Sequence, residues 1–167
     1  MQTQDILAYN MGKKGFTLIG VNYNAGKPIL TTNELILEVI KDSDNARLLE
    51  GMAVIISNEP PNLTALVKEA IKLKLQNQTG YLLDGTLQIL KKDNPYTDYS
   101  KMEKAISRLY KKLLPDNQPL ANIQIPNAQE SLSRNRFPED LKWNIIGGIS
   151  YKQLEIQYRW YCGTAKR

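Results

Sequence analysis

A row of basic side chains between residues 100 and 114 is the part of this sequence best suited to binding an anion. Helical spacing brings these side chains to one face, opposite an apolar stripe that begins at Met102 and ends at Leu113. The basic residues are Lys101, Lys104, Arg108, Lys111 and Lys112. Cations spaced along a helix can neutralise successive phosphates of a nucleic acid, so the pattern predicts a phosphate-binding helix. A solvated outer face that keeps the protein soluble would have the same pattern.

Two further clusters toward the C-terminus carry similar chemistry. Arg134 and Arg136, separated by one residue, could fork onto phosphates or onto a partner's carboxylate, although a polar loop would look the same. In the last segment, aromatic rings alternate with cations, and such rings can stack on exposed bases. The candidate binding residues there are Arg159, Tyr161, Lys166 and Arg167. The alternative interpretation places Tyr158 and Trp160 in the core and leaves the terminal charges in solvent.

The charge of the chain is unevenly distributed. Residues 1–90 hold 8 Lys and Arg against 9 Asp and Glu, a net charge of −1, and residues 91–167 hold 14 against 8, a net charge of +6. The sum is the +5 of the whole chain. A basic half of this kind predicts an anionic partner, either a nucleic acid or an acidic protein.

Several classes of catalytic and metal site are excluded by composition. The chain has no histidine and a single cysteine, Cys162, which excludes Ser-His-Asp and Cys-His catalysis, zinc sites that need histidine or several cysteines, and intrachain disulfides. We expect no cofactor and no metal. The carboxylates that an enzyme could use follow no recurring spacing; they are Asp42, Asp44, Glu50, Asp84, Asp98, Glu139 and Asp140. An enzyme with an unrecognised carboxylate or metal site therefore ranks third among the functions considered.

The elements that must position these residues are mainly helical. We expect a compact α+β domain, mainly α with a minor β component, built from about five to six helices and one or two short strands in the N- and C-terminal regions. Capping boxes at Thr31, Ser100 and Ser150, with Glu or Gln three residues later, and an asparagine cap at Asn62 are typical helix starts. The helical pattern runs over 32–41, 62–75, 80–90 and 100–114, while Val54–Ile56 could be helix or buried strand.

The two ends of the chain have strand-like patterns. Residues 16–23 are β-prone and bracketed by glycines, and residues 154–162 alternate between two faces, which favours a strand over the helix that Ser150 suggests. Residues 115–137 are rich in proline and predict a loop or linker, with one short strand near Ile123 and Ile125. We therefore divide the chain into a helical domain (1–114), a linker (115–137) and a C-terminal basic and aromatic segment (138–167) packed on the same domain.

One stretch, residues 47–84, resembles a known family. Arg47-Leu48-Leu49-Glu50, the helical pattern from Asn62, and Gly80-Tyr81-Leu82-Leu83-Asp84 are similar to the C-terminal region of AbiE-type antitoxin and transcriptional-regulator proteins. In that family this region contributes to neutralising a nucleotidyltransferase toxin and accompanies a winged helix-turn-helix. The roughly 30 residues before Thr31 are too few for a winged helix, a departure from the family's pattern.

Two functions follow from these observations. The first is a non-catalytic nucleic-acid-associated regulatory or accessory protein that binds the phosphate backbone. The second is a protein-interaction module, antitoxin-like or part of a complex, that docks an acidic partner. No secretion signal and no apolar run of about 20 residues occurs, so we expect a cytoplasmic protein without a membrane partner. The sequence does not indicate the oligomeric state.

Overall fold

The chain folds mainly into helices, as its periodicity predicts, and the described residues include one pair of very short strands. The computed structural model describes residues 3–23, 26–42, 46–116, 118–120, 136–146 and 149–163. The helices are α1 (Thr3–Lys13), α2 (Thr32–Asp42), α3 (Ala46–Glu50), α4 (Met52–Asn58), α5 (Leu63–Lys72), α6 (Gln76–Asp93), α7 (Ser100–Tyr110), α8 (Pro138–Trp143) and α9 (Tyr151–Tyr158). A π-helical turn, Arg159–Gly163, follows α9, and the strands are β1 (Gln118–Pro119) and β2 (Ile145–Ile146).

Helix α6 lies at the centre of this arrangement. It packs against α7 and α5 on one side and against α4, α8 and α9 on others, so nearly all of its faces are buried. Tyr81, Leu82 and Leu83 belong to the same core as the apolar residues of α2, α3 and α4. A helix buried all round must be apolar or must find partners for its polar side chains.

The first turn of α6 finds those partners in the segment that follows α7. The Gln76 amide donates to the carbonyl of Lys112 at 2.9 Å. Asn77 pairs in both directions with the backbone of Leu114, donating at 3.1 Å and accepting at 2.9 Å. These bonds fix the C-terminal end of α7 against α6, and with it the direction in which the basic face of α7 points.

The helix caps predicted at Thr31 and Asn62 are confirmed, and the capping box that Ser150 suggested, against the strand favoured there, is present as well. The backbone N–H of Thr31 donates to Glu34 at 2.7 Å while the Thr31 hydroxyl accepts from the Glu34 N–H. Ser150 and Gln153 form the equivalent capping box of α9, and the Asn62 side chain caps α5. Each cap satisfies N–H groups that a helix start leaves without a partner.

The capping box predicted for α7 is wrong. The backbone N–H of Ser100 donates instead to the carboxylate of Asp98 at 2.9 Å, and the Glu103 side chain accepts from Lys91 on α6. Asp98, two residues before Ser100, therefore forms an Asx turn at the start of the helix, where a cap by the serine hydroxyl was expected. Helix α7 ends at Tyr110, and turns continue to Lys112.

The strand predicted over residues 16–23 is also wrong. Gly15 and Gly20 adopt positive φ angles of 101° and 86°, which interrupt an extended backbone. The Tyr23 hydroxyl accepts from the N–H of Leu18 at 2.7 Å, so the run folds back on itself. Only Phe16 of this run is fully buried, where it joins the core.

The strand predicted over residues 154–162 is helical. Residues 151–158 form α9 and residues 159–163 form the π-helical turn. Leu154 and Tyr158, four residues apart, are the buried positions, which is the spacing of a helix face. The Ser150 capping box therefore indicated the correct local structure, and the alternating pattern that favoured a strand did not. Likewise, Val54–Ile56 lies inside α4.

The predicted linker is anchored at its first residues. β1 pairs in parallel with β2, with Gln118 opposite Ile145 and Pro119 opposite Ile146. The N–H of Gln118 donates to the carbonyl of Asn144 at 2.8 Å. The strand predicted near residues 123 and 125 lies outside the described residues.

Candidate nucleic-acid interface

A groove of about 820 Å³ lies between the first turn of α5 and the exposed face of α7. One wall carries four of the predicted cations, and the opposite wall is formed by Asn62, Leu63 and Thr64. The cations are Lys101, Lys104, Arg108 and Lys111. Buried Val67 and Ala105 contribute apolar surface between the walls. The groove therefore combines a basic wall with a neutral one.

The amphipathic pattern of α7 places the cations on this wall. Met102, Ala105, Ile106 and Leu109 are buried, which turns the opposite face of the helix to solvent. From residue 101 to residue 111 the axis rises by about 15 Å, at about 1.5 Å per residue. The basic row is thus long enough to follow several phosphates of a nucleic acid.

The acidic groups near α7 do not face into the groove. Its lining includes no carboxylate among the described residues, and none of the four cations forms an ion pair within that part of the chain. Glu103, the acidic residue of α7, pairs with Lys91 of α6. At the helix start, hydrogen bonds from Ser100, and then the nearby charge of Lys101, lower the pKa of Asp98.

The opposite wall adds to the positive potential. The groove is bordered by the N-terminal turn of α5, where the helix dipole leaves a partial positive charge. The Asn62 side chain is already used as the cap, since its oxygen accepts from the N–H of Ala65 at 3.1 Å. This wall therefore adds positive potential, and the side-chain oxygen of Asn62 is already occupied by a hydrogen bond within the chain.

The remaining predicted binding residues do not join the groove. Lys112 is exposed but lies outside its lining. The Arg136 guanidinium donates to the carbonyls of Ile145 and Asp140, both at 3.1 Å, and so ties α8 to β2. Arg134, Lys166 and Arg167 lie outside the described residues.

Arg159 and Tyr161 are held by contacts within the chain. The Arg159 guanidinium forms ion pairs with Asp93 of α6 and with Glu155. The Tyr161 ring lies 4.6 Å from the Phe16 ring, centroid to centroid, and its hydroxyl donates to the carbonyl of Thr17 at 2.7 Å. These contacts occupy the groups that base stacking or phosphate binding would need.

The alternative interpretation placed both Tyr158 and Trp160 in the core, and the structure buries one of them. Tyr158 is buried and its hydroxyl donates to Asp93 at 2.7 Å. Burial, and then this hydrogen bond, raise the pKa of Tyr158 to about 12. Trp160 is 71% exposed and lies on the outer side of the π-helical turn. Only one of the two is therefore a core residue.

A buried polar cluster around Asp84 has no counterpart in the sequence analysis. Three donors converge on one carboxylate oxygen of Asp84: Lys142 Nζ at 2.7 Å, the Trp143 indole N–H at 3.0 Å and the Tyr151 hydroxyl at 3.0 Å. Burial alone would raise the pKa of Asp84, but these hydrogen bonds outweigh it and lower the pKa. Burial, and then the Asp84 charge, raise the pKa of Tyr151.

The cluster fastens α8 and α9 to α6, which gives the Gly80–Asp84 motif a structural role. A Cβ atom on Gly80 would lie 2.0 Å from the ring of Trp143, so the indole packs directly on the α6 backbone. The Tyr81 hydroxyl donates to the carbonyl of Ile149, and its ring lies 4.9 Å from that of Tyr151. Burial raises the pKa of Tyr81.

Other classes of site find no support in the part of the chain that the structure describes. No group of three or more Cys, Asp or Glu side chains is arranged to hold a metal ion there. Among the helices of that part, none is long and apolar enough to cross a membrane.

Comparisons with protein-family models, curated proteins and solved structures found no match to this chain. The resemblance of residues 47–84 to AbiE-type proteins stays a prediction.

Proposed function

We propose that the protein is a non-catalytic nucleic-acid-associated accessory or regulatory protein that holds a phosphate backbone in the α5–α7 groove. The observation that carries the proposal is the row of four cations along about 15 Å of α7 and its C-terminal cap. No carboxylate of the described residues lies in the groove lining to neutralise them. Regularly spaced cations beside a groove suit a ligand with regularly spaced negative charges.

Binding at this groove would depend on charge, because few other interactions are offered there. Among the described residues its lining has no aromatic ring for stacking, and the Asn62 oxygen is already used by the α5 cap. Thr64 and Ser107 supply hydroxyls, which suit phosphate oxygens. The groove would therefore recognise the phosphate backbone of a nucleic acid and not its bases.

The resulting affinity would be sensitive to salt. Each neutralised phosphate of a duplex releases counterions and contributes about −0.9 to the slope of log K against log salt concentration. Four contacts give a slope of about −3.6 on duplex DNA and about −2.8 on a single strand. A cytoplasmic location belongs to the same proposal, and a single cysteine fits a reducing compartment.

The experiment is fluorescence anisotropy with labelled oligonucleotides at 50 and 200 mM salt. The expected result is binding to both DNA and RNA that weakens with salt, and that persists on a strand of the same length with abasic sites. No binding at 50 mM salt would refute the proposal. Loss of binding on the abasic strand would refute the charge-based mode.

A control polymer separates this function from the alternative of an acidic protein partner. Polyglutamate of the same number of charges presents carboxylates without phosphates. Weaker binding of polyglutamate than of the oligonucleotide supports the nucleic-acid proposal. Equal or tighter binding would instead favour a protein-interaction module steered by its positive surface.

A further inference from the structure

Among the described residues, the α5–α7 groove has cations on one wall and none on the other. The four cations line the wall formed by α7 and its C-terminal cap, and the facing wall, residues 61–64, carries no charged side chain. A duplex has two phosphate strands, one on each side of its major and minor grooves. If a duplex lay along α7, the strand on the α5 side would face a wall without cations. The asymmetry of the groove therefore suits one phosphate backbone and not a pair.

The position of α5 also keeps α7 out of the grooves of a duplex. Helices α5 and α7 pack against each other, and the first turn of α5 borders the basic row. Packed helices lie 8–10 Å apart and each is 10–12 Å across with its side chains, so the pair is about 20 Å wide. The major groove of DNA is about 12 Å wide. Helix α7 is therefore too closely flanked to enter it, and a duplex would rest on the rim of the α5–α7 groove.

A single strand fits the dimensions of the α5–α7 groove. Nucleotides of a stacked strand are spaced by about 3.4 Å, so the basic row of about 15 Å spans about four of them, one for each cation. Between the walls the surface is apolar, because buried Val67 and Ala105 form it and half-buried Leu63 lies at its edge. A strand inside the groove would place the carbon edges of its sugars on this surface while its phosphates met the cations.

We propose that the α5–α7 groove selects single-stranded DNA or RNA over a duplex by enclosing one sugar–phosphate backbone. The selection rests on the proposed function of the groove, and it narrows the class of nucleic acid that the groove would bind. The preference comes from contacts with the apolar surface and the neutral wall, which a duplex on the rim does not reach. Base identity plays no part, because the lining offers no aromatic ring among the described residues.

Charge alone gives the opposite preference, which makes the selection measurable. With four neutralised phosphates, the slope of log K against log salt concentration is about −3.6 on a duplex and about −2.8 on a single strand. If the two had equal affinity at 1 M salt, the duplex would bind about 11-fold more tightly at 50 mM and about 3.6-fold more tightly at 200 mM. A strand that binds more tightly than the duplex must therefore make contacts beyond those of charge.

The test is fluorescence anisotropy of the full chain with four labelled ligands at 50 and 200 mM salt. The ligands are a thymidine strand, a uridine strand, an abasic strand and a mixed-sequence duplex, each of 12 nucleotides or base pairs. The three strands should have similar affinities and bind at least about threefold more tightly than the duplex at 200 mM salt.

The outcomes separate this selection from the proposed function. Duplex binding equal to or tighter than strand binding would overturn the selection and leave the proposed function standing. A preference for the thymidine and uridine strands that is absent with the abasic strand would assign it to the bases and would also overturn the selection. Absence of binding by every ligand at 50 mM salt would refute both.

Thr64→Phe tests whether the strand lies inside the groove. Thr64 is exposed on the neutral wall, so a phenylalanine there narrows the groove without changing its charge. With the abasic strand, which has no base to stack on the ring, the variant should bind about fivefold more weakly, while duplex binding is unchanged. Thr97→Phe is the matched control, because Thr97 is also exposed and lies outside the lining. Equal abasic-strand affinities of the two folded variants, verified by circular dichroism, would overturn the enclosure of the strand.

Discussion

Replacing three cations of the groove, Lys104, Arg108 and Lys111, with alanine should change the salt dependence of nucleic-acid binding in a calculable way. All three are exposed and lie off the buried stripe of α7, so the fold should persist. Lys101 is unchanged in the variant, so one of the four phosphate contacts is kept. The slope of log K against log salt concentration for a duplex should therefore change from about −3.6 to about −0.9.

These slopes correspond to a large difference in measured affinity. Between 50 and 200 mM salt, a slope of −3.6 weakens binding about 150-fold, and a slope of −0.9 weakens it about 3.5-fold. Fluorescence anisotropy of a labelled 20-base-pair duplex at four salt concentrations would measure both. Circular dichroism of the variant would verify its helix content before the titrations.

A second triple variant separates the groove from net charge. Lys41, Lys72 and Lys152 are exposed and lie outside the groove lining, so replacing them with alanine removes the same charge elsewhere. Its slope should remain near −3.6. Equal slopes for the two triple variants would refute the groove as the binding site, and an unchanged slope in the first would do so even without the control.

Three further predictions concern contacts of the fold that lie outside the groove lining. Asp84→Ala leaves two buried donors, the Trp143 indole and the Tyr151 hydroxyl, without an acceptor and should lower the free energy of unfolding by about 3 kcal/mol. Because folding lowers the pKa of Asp84, its contribution in the wild type is present above about pH 4 and should be lost as the pH falls through the folded-state pKa. Gly80→Ala should cost about 2 kcal/mol, because the added methyl overlaps the Trp143 ring, although alanine is the better helix former. Tyr161→Ala should lower stability but leave single-strand and duplex binding unchanged, because its ring packs on the chain itself.

Urea unfolding at several pH values measures the first two changes, with Asp116→Ala as the control because Asp116 is exposed. An Asp84 variant as stable as that control would contradict the cluster's role. A stabilised Gly80→Ala would show that the indole does not rest on the helix backbone. Selective loss of single-strand binding in Tyr161→Ala would restore the stacking interpretation.

Helices with a clear apolar stripe and a local cap could be predicted from the sequence. The stripe of α5 and its Asn62 cap are local signals, and the structure places both as expected. The strand prediction over residues 154–162 was wrong because the alternating set includes residues 154 and 158, which are equally a helix face. Alternation and helical spacing coincide over so short a segment, and only packing on α4 and α6 separates them.

Only one wall of the candidate groove could be predicted from the sequence. The cations of α7 share one helix, so spacing alone brings them to one face. The neutral wall comes from residues 61–64, some forty positions earlier, and no local pattern indicates that pairing. The Asp84 cluster could not be predicted for the same reason, because its donors lie 58, 59 and 67 residues away in the sequence.

The central claim is that the α5–α7 groove holds a phosphate backbone, and lysine footprinting tests it most directly. The protein is acetylated briefly with and without a saturating 20-base-pair duplex, and each lysine is quantified by mass spectrometry. Lys101, Lys104 and Lys111 should be protected by the duplex, while Lys41 and Lys72 should react equally in both samples. Protection elsewhere, with the three groove lysines still reactive, would contradict the claim.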